Sequence, residues 1–254
     1  MIKVAVLGST GYVGMELIKL LIKHPNISIN FLGSDTMEGK FLNNINHISE
    51  FKNLPILNNN NSFDPSKSDY VFLALPHGIS NQYVKKLYDK IRIIDLSADF
   101  RLDNLHSYKE NYGDTHTCPE LLSKFIYGLV EINRAKITKA ANIAVPGCYP
   151  TSILLPLIPL IKKKLINTDN IIIDTKSGYS GAGKKFDLNN IKLNNELNFY
   201  NYNTNNHRHI IEINQELQKC INNENLNFSF NPHILPNFRG MLSTIYCDLK
   251  INIS

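Results

Sequence analysis

The chain has 254 residues, enough for two modest domains with a sizeable core, and its 43% hydrophobic and 19% charged content is that of an ordinary globular protein. The formal charge of +5 is carried by scattered lysines, with no basic stripe interleaved with aromatics, which argues against a nucleic-acid partner and suits an anionic small molecule equally well. No apolar run reaches the length of a membrane span.

Cys118, Cys148, Cys220 and Cys247 are far apart and follow no metal-ligand spacing, and the N-terminus opens at once on a core strand with no signal peptide. A cytoplasmic protein without disulfides or metal is expected. Asparagine is frequent, as in 58–61 and 194–206; these runs read as loops.

Lys3–Leu7 is a short apolar strand. Gly8-Ser9-Thr10-Gly11-Tyr12-Val13-Gly14 follows, and from Met15 apolar residues recur at helical spacing until Pro25 stops them. A second strand spans Ile27 to Leu32. Strand, glycine turn, helix and strand form the opening of a dinucleotide-binding unit: Gly8 for the tight turn, Gly11 for approach to a pyrophosphate, Gly14 for helix–strand packing. At the end of the second strand stand Ser34 and Asp35. An acid there accepts the adenosine ribose hydroxyl and favours NAD, whereas Ser34 and Lys40 would suit the extra phosphate of NADP.

Asp69–Leu75 is a buried strand ending in Pro76-His77-Gly78, where a doubly wound sheet exposes its ligand crevice; His77 is either functional or a turn histidine bonded to backbone. A helix over 80–90 leads to a strand over 91–96, tipped by Ser97-Ala98-Asp99-Phe100-Arg101. Arg101 there either binds an anion or pairs with Asp99. Residues 102–124 show no clear period, and 127–134 read as an edge-like segment.

The strand Asn142–Val145 runs into Pro146-Gly147-Cys148-Tyr149-Pro150-Thr151, with Pro150 marking a helix start and Cys148 just before it. A thiol at a helix N-terminus is favoured as thiolate, the form that attacks acyl carbons. The bland alternative is a buried cysteine packing as a small hydrophobe. A strand over 170–175 ends in Lys176-Ser177-Gly178-Tyr179-Ser180-Gly181-Ala182-Gly183-Lys184, whose glycines suit a nest of backbone donors for a phosphate or carboxamide. His207-Arg208-His209 opens a helix over 209–217 and offers acid–base and carboxylate-binding groups. Strand-like segments 228–230 and 242–253 close the chain, with Pro232-His-Ile-Leu-Pro236 and Arg239-Gly240 between them.

Taken together, the motifs Gly8–Gly14, Ala74–Gly78, Asp95–Arg101, Pro146–Thr151, Lys176–Gly183, His207-Arg208-His209 with Glu212, and Pro232–Gly240 resemble the N-acetyl-gamma-glutamyl-phosphate reductases, arginine-biosynthetic relatives of aspartate-semialdehyde dehydrogenase. The resemblance runs from Val4 to Lys250. It implies an α/β fold: a Rossmann-type doubly wound parallel sheet over 1–145, then an α+β catalytic and dimerisation domain with a mixed sheet over 146–254. It implies NADPH-dependent reduction of the acyl phosphate to N-acetylglutamate 5-semialdehyde through a thioester on Cys148, and a homo-oligomer. By resemblance one histidine of the His207-Arg208-His209 motif, His207 or His209, handles the proton, with His207 favoured and His209 then oriented by Glu212; Arg101 holds the leaving phosphate and Arg208 the substrate carboxylate. Gly8, Ser9, Thr10, Gly11, Tyr12, Val13, Gly14, Ser34, Pro76, Ser177, Gly178, Gly181, Ala182 and Gly183 would line the NADP(H) site. The family commonly has Ser-Arg where this chain has Ser34-Asp35, which keeps NAD(H) open, and the chain is expected to be shortened at its C-terminal end relative to the family. The alternatives are a reductase of aspartyl or aminoadipyl phosphate, or a non-catalytic nucleotide-binding remnant.

Overall fold

The computed structural model describes residues 1–46, 51, 53–113, 116–184, 186–194, 196–221 and 225–250. It divides into two compact units, Met1–Val145 and Pro146–Ser254.

The first unit is built on seven strands: β1 (Ile2–Leu7), β2 (Ile27–Gly33), β3 (Leu57–Asn58), β4 (Tyr70–Leu73), β5 (Arg92–Asp95), β6 (Ile126–Tyr127) and β7 (Asn142–Ala144). They lie in the order β3-β2-β1-β4-β5-β7-β6, every pairing parallel. Strand period does the work of making two cores. Val4 and Val6 of β1 point into a cluster with Ile18, Leu21 and Leu32, while Ala5 and Leu7 point into another with Val71, Leu73, Tyr83, Val84 and Ile93. The first cluster is capped by α1 (Tyr12–Leu21), the second by α3 (Ser80–Leu87). A strand buried on both faces reads as a continuous apolar run, as β1 does. Each of its buried side chains contributes about 1.5–3 kcal/mol.

Between these elements lie α2 (Leu42–Asn46), α4 (Leu105–Tyr112) and α5 (Val130–Ile137). The stretch without visible period thus holds a helix, α4, whose Asn104 side chain accepts the Ser107 N–H as a cap. The edge-like reading of 127–134 is right only for β6, at the sheet edge; residues 130–134 belong to α5.

The second unit carries α6 (Cys148–Lys162), β8 (Ile171–Gly178), a short ribbon of β9 (Lys192–Leu193) and β10 (Glu196–Leu197), β11 (Tyr200–Asn201), α7 (His209–Gln218), β12 (Phe228–Leu235) and β13 (Met241–Tyr246). Its main sheet has the order β11-β12-β8-β13 and is mixed: β12 and β8 run parallel, the outer pairs antiparallel. β8 alternates as a half-buried strand must: Ile171, Ile173, Thr175 and Ser177 are buried, while Ile172, Asp174 and Lys176 face outward. On that outer face Leu242 and Tyr246 of β13 are largely exposed, and Asp174 meets both Lys176 and His233. Residues 251–253, read as the end of the last strand, lie outside the described ones.

Candidate active site

In the first unit the carboxyl ends of β1, β2, β4 and β5 gather the predicted nucleotide-binding residues. Gly8 sits at φ +78°, and a Cβ there would meet the Ala74 carbonyl oxygen at 2.3 Å; a Cβ at Gly14 would meet the Gly8 oxygen at 2.4 Å. Only glycine lets the turn pass under β4 and α1 press onto the turn. The N–H of Gly8 and of Ser9 both reach the Gly33 carbonyl, and the buried Ser9 hydroxyl does the same at 2.8 Å. Ser9 therefore turns both its N–H and its hydroxyl to Gly33 and fixes the shape of the turn. Gly11 caps α1 with no side chain, so the first turn of α1 keeps its positive, donor-rich end uncovered, the arrangement that receives a pyrophosphate. The turn fits a dinucleotide. Tyr12 and Val13 open that helix, Thr10 bonds Ser34, and Pro76 stands exposed after β4.

The roles of two residues here were not legible in the sequence. Asn60, inside an asparagine run read as loop, is buried in a 3-10 turn; its side-chain oxygen accepts the Gly8 N–H at 3.1 Å and its own N–H donates to Asp35 at 3.1 Å. Asp95 is wholly buried and accepts from the hydroxyls of Ser80 (2.6 Å) and Ser97 (2.8 Å) and from the Ser97 N–H (3.1 Å). Burial pushes its carboxyl up to about 6 against the downward pull of those bonds.

Asp99 is also buried, but its balance is the reverse. Burial raises it, and the bond from His77 at 2.6 Å together with the N–H groups of Gly78 and Asn81 outweighs burial and holds the carboxyl below its ordinary value. His77 is thus a turn histidine tied to a carboxylate rather than to backbone. Arg101, 8% exposed, donates from Nε to the Val145 carbonyl (2.8 Å) and from Nη2 to Leu96 (3.0 Å). With these two bonds it braces two strand ends.

The second unit holds a cavity of about 450 Å³ lined by Cys148, Ser177, Gly178, Gly181, Ala182, His207, Arg208 and His209, with Phe186, Tyr200 and Tyr202 as an aromatic wall. Gly183 follows at the end of the same turn. Cys148 is exposed and is the first residue of α6 rather than the one before it, since Pro150 sits third. Gly147 caps the helix without a side chain, and the Thr151 hydroxyl returns to the Gly147 carbonyl at 2.8 Å. The Gly147 N–H points the other way, to Oε1 of the fully buried Glu212 on α7 at 2.9 Å. Glu212 therefore grips the turn before the cysteine, a partner 65 residues away that no sequence signal announced.

In the glycine turn the N–H groups of Gly178, Tyr179 and Ser180 are engaged by the carbonyls of Gly240, Asn237 and Phe238, so this part of the turn is held by the 237–240 segment, while Gly181 and Ala182 line the cavity. Nδ1 of His207 accepts the His209 N–H at 3.1 Å, capping α7, and the ring packs among Tyr149, Tyr202 and Phe230. Burial, then the neighbouring Arg208, pushes His207 down to about 4. It is neutral near pH 7, and with Nδ1 accepting, its proton sits on Nε2. Tyr149, buried beside the cavity, meets the Tyr202 hydroxyl at 3.2 Å; burial first, and that contact next, push its phenol well up.

This fold of a dinucleotide-type sheet and a mixed-sheet unit holding a helix-capped cysteine defines a class. The model of the semialdehyde dehydrogenase NAD binding domain matches residues 3–140, and that of the semialdehyde dehydrogenase dimerisation domain matches 148–254. Two solved aspartate semialdehyde dehydrogenases share the fold over all of this chain at 18% identity. They are form II from Vibrio cholerae, complexed with ASA (TM-score 0.74, 76% of that chain), and the Candida albicans enzyme with NADP (TM-score 0.65, 73% of that chain).

Sequence relatives are closer. An N-acetyl-gamma-glutamyl-phosphate reductase of Ehrlichia canis is 44% identical over all of this chain and 73% of its own length. That of Caldicellulosiruptor bescii is 47% identical over 98% of this chain and 72% of its own. The chain belongs to the N-acetyl-gamma-glutamyl-phosphate reductase family.

Proposed function

We propose that the chain reduces N-acetyl-gamma-glutamyl phosphate to N-acetylglutamate 5-semialdehyde and phosphate, as a cytoplasmic step of arginine biosynthesis. The observation that carries this is the meeting of Cys148, His207, Arg208 and His209 in one cavity over a helix N-terminus. The Cys148 thiolate attacks the gamma-acyl carbon; the carbon–oxygen bond to phosphate breaks and a thioester remains. The Gly8–Gly14 turn would hold a reduced nicotinamide dinucleotide, whose chemistry when bound would be to supply hydride to that carbon. The carbon–sulfur bond then breaks, freeing the aldehyde and restoring the thiolate.

Within this scheme the neutral His207 donates a hydrogen bond from Nε2 to the oxyanion, and His209 exchanges the proton required by the leaving phosphate. Of the two histidines the resemblance leaves open, His209 is the one given the proton exchange, because Nδ1 of His207 is engaged by the His209 N–H. Exposed Arg208 meets the substrate carboxylate. Glu212 positions the turn, and Arg101 braces the strand ends. NADPH is the donor implied by the resemblance, and Asp35 is the residue on which its choice over NADH turns. The outer face of the second sheet, with Leu242 and Tyr246 exposed, is the surface through which we expect two copies to associate.

The test is Cys148→Ser assayed with N-acetyl-gamma-glutamyl phosphate and, separately, aspartyl phosphate. Turnover should fall by at least about 10³-fold, with no burst of phosphate release. Substantial residual reduction would sink the thioester, exclusive use of aspartyl phosphate would move the substrate, and dinucleotide binding without turnover in the wild type would favour a non-catalytic chain.

A further inference from the structure

We infer that Asp35 makes this chain select NADH over NADPH, an inference that rests on the reductase reading for its dinucleotide site and departs from the donor the resemblance implies. In a doubly wound sheet the residue at the carboxyl end of the second strand meets the adenosine ribose, where NAD carries a hydroxyl and NADP a phosphate dianion. Two side chains of this chain stand at that point, Ser34 and Asp35. The fold assigns them opposite situations.

Ser34 is 2% exposed and its hydroxyl lies 3.0 Å from that of Thr10, so it is turned into the glycine loop. Asp35 is exposed. Its Oδ1 accepts the N–H of Asn60, whose side-chain oxygen in turn accepts the N–H of Gly8, so the carboxylate is fixed to the same loop that receives the pyrophosphate. The second carboxylate oxygen suits a ribose hydroxyl as donor, and it repels a phosphate placed there. Lys86 stands in this neighbourhood, its Nζ 3.4 Å from the Asn61 side-chain oxygen and over the Tyr83 ring. A lone lysine meets a phosphate as a point charge, without the bidentate fork an arginine brings.

Isothermal titration calorimetry of the purified chain with NADH and with NADPH tests this directly, without turnover. The wild type should bind NADH at least about tenfold more tightly. Asp35→Asn keeps an oxygen for the Asn60 N–H while removing the charge, and should bring the two affinities within about threefold, mainly by strengthening NADPH. Asp35→Ser should do the same or reverse the order. Tighter binding of NADPH by the wild type, or a ratio unchanged in both variants, overturns the inference, as does binding of neither dinucleotide. Failure of the reductase reading would show separately, as clean NADH binding with no reduction of any acyl phosphate.

Discussion

Removing the Glu212 carboxylate should loosen the turn that presents Cys148. Glu212 and Gly147 are both buried, and their bond at 2.9 Å links α7 to the residue capping α6. A hydrogen bond with a charged acceptor contributes about 1.5–3 kcal/mol, and its loss leaves the Gly147 N–H buried without an acceptor. Glu212→Ala should therefore destabilise the second unit by about 2–3 kcal/mol, measured by urea unfolding followed by circular dichroism. If the same contact holds the thiol in its attacking position, about 2 kcal/mol corresponds to roughly thirtyfold in acyl transfer, read as the rate of the phosphate-release burst. Glu212→Gln retains an oxygen for Gly147 and should lose less than about 1 kcal/mol and threefold in burst rate. Equal damage from Gln and Ala would show that the charge matters and the grip does not. A wild-type burst in Glu212→Ala would refute the argument outright.

Other outcomes follow from the first unit. Asp95 has a folded pKa of about 6, above its ordinary 3.8, so the native state holds this proton more tightly than the unfolded chain. Its stabilising effect is complete below the unfolded value and is lost as pH rises through about 6, about 3 kcal/mol in all. Asp95→Asn should therefore gain on the wild type by about that amount between about pH 4 and pH 7; a constant difference across this window would contradict the assignment. Gly8→Ala forces a methyl to within 2.3 Å of the Ala74 carbonyl oxygen and should cost at least about 3 kcal/mol and abolish dinucleotide binding by calorimetry. Gly78→Ala has a similar φ of +79° but nothing within 4 Å of its Cβ, and should cost only about 1–2 kcal/mol, so equal melting temperatures for the two would count against the close-contact argument.

The parts of this molecule written in local pattern could be read from the chain. The Gly8–Gly14 turn sits between a strand and a helix within a few residues, and β8 ends near where its alternation of buried and exposed side chains stops. What could not be read depends on partners distant in sequence. Asn60 looks like its neighbours in an asparagine run until the fold brings it under Gly8. The 178–180 turn looks like an open nest until the 237–240 segment occupies its donors. Glu212 resembles an orienter of the histidine three residues before it, yet its carboxylate reaches Gly147 instead. α4 hid because its stability rests on a cap and on the one buried residue Tyr108 rather than on an apolar stripe.

The helix that carries the thiol has a consequence for how this protein forms. α6 contains Pro156 and Pro159 in its interior, each unfavourable by about 3 kcal/mol in a helix standing alone. It is held by burial of Ile153, Leu154, Leu157, Ile158 and Ile161, worth about 1.5–3 kcal/mol each, as it packs against α7 and β13. A nascent chain ending soon after Lys162 would have no reason to coil this segment. The donor-rich end beneath Cys148 arises only when the whole second unit has assembled. In the proposed reaction, heightened reactivity of that one sulfur would therefore be a gauge of completed folding, and a chain caught part-way would carry an ordinary thiol.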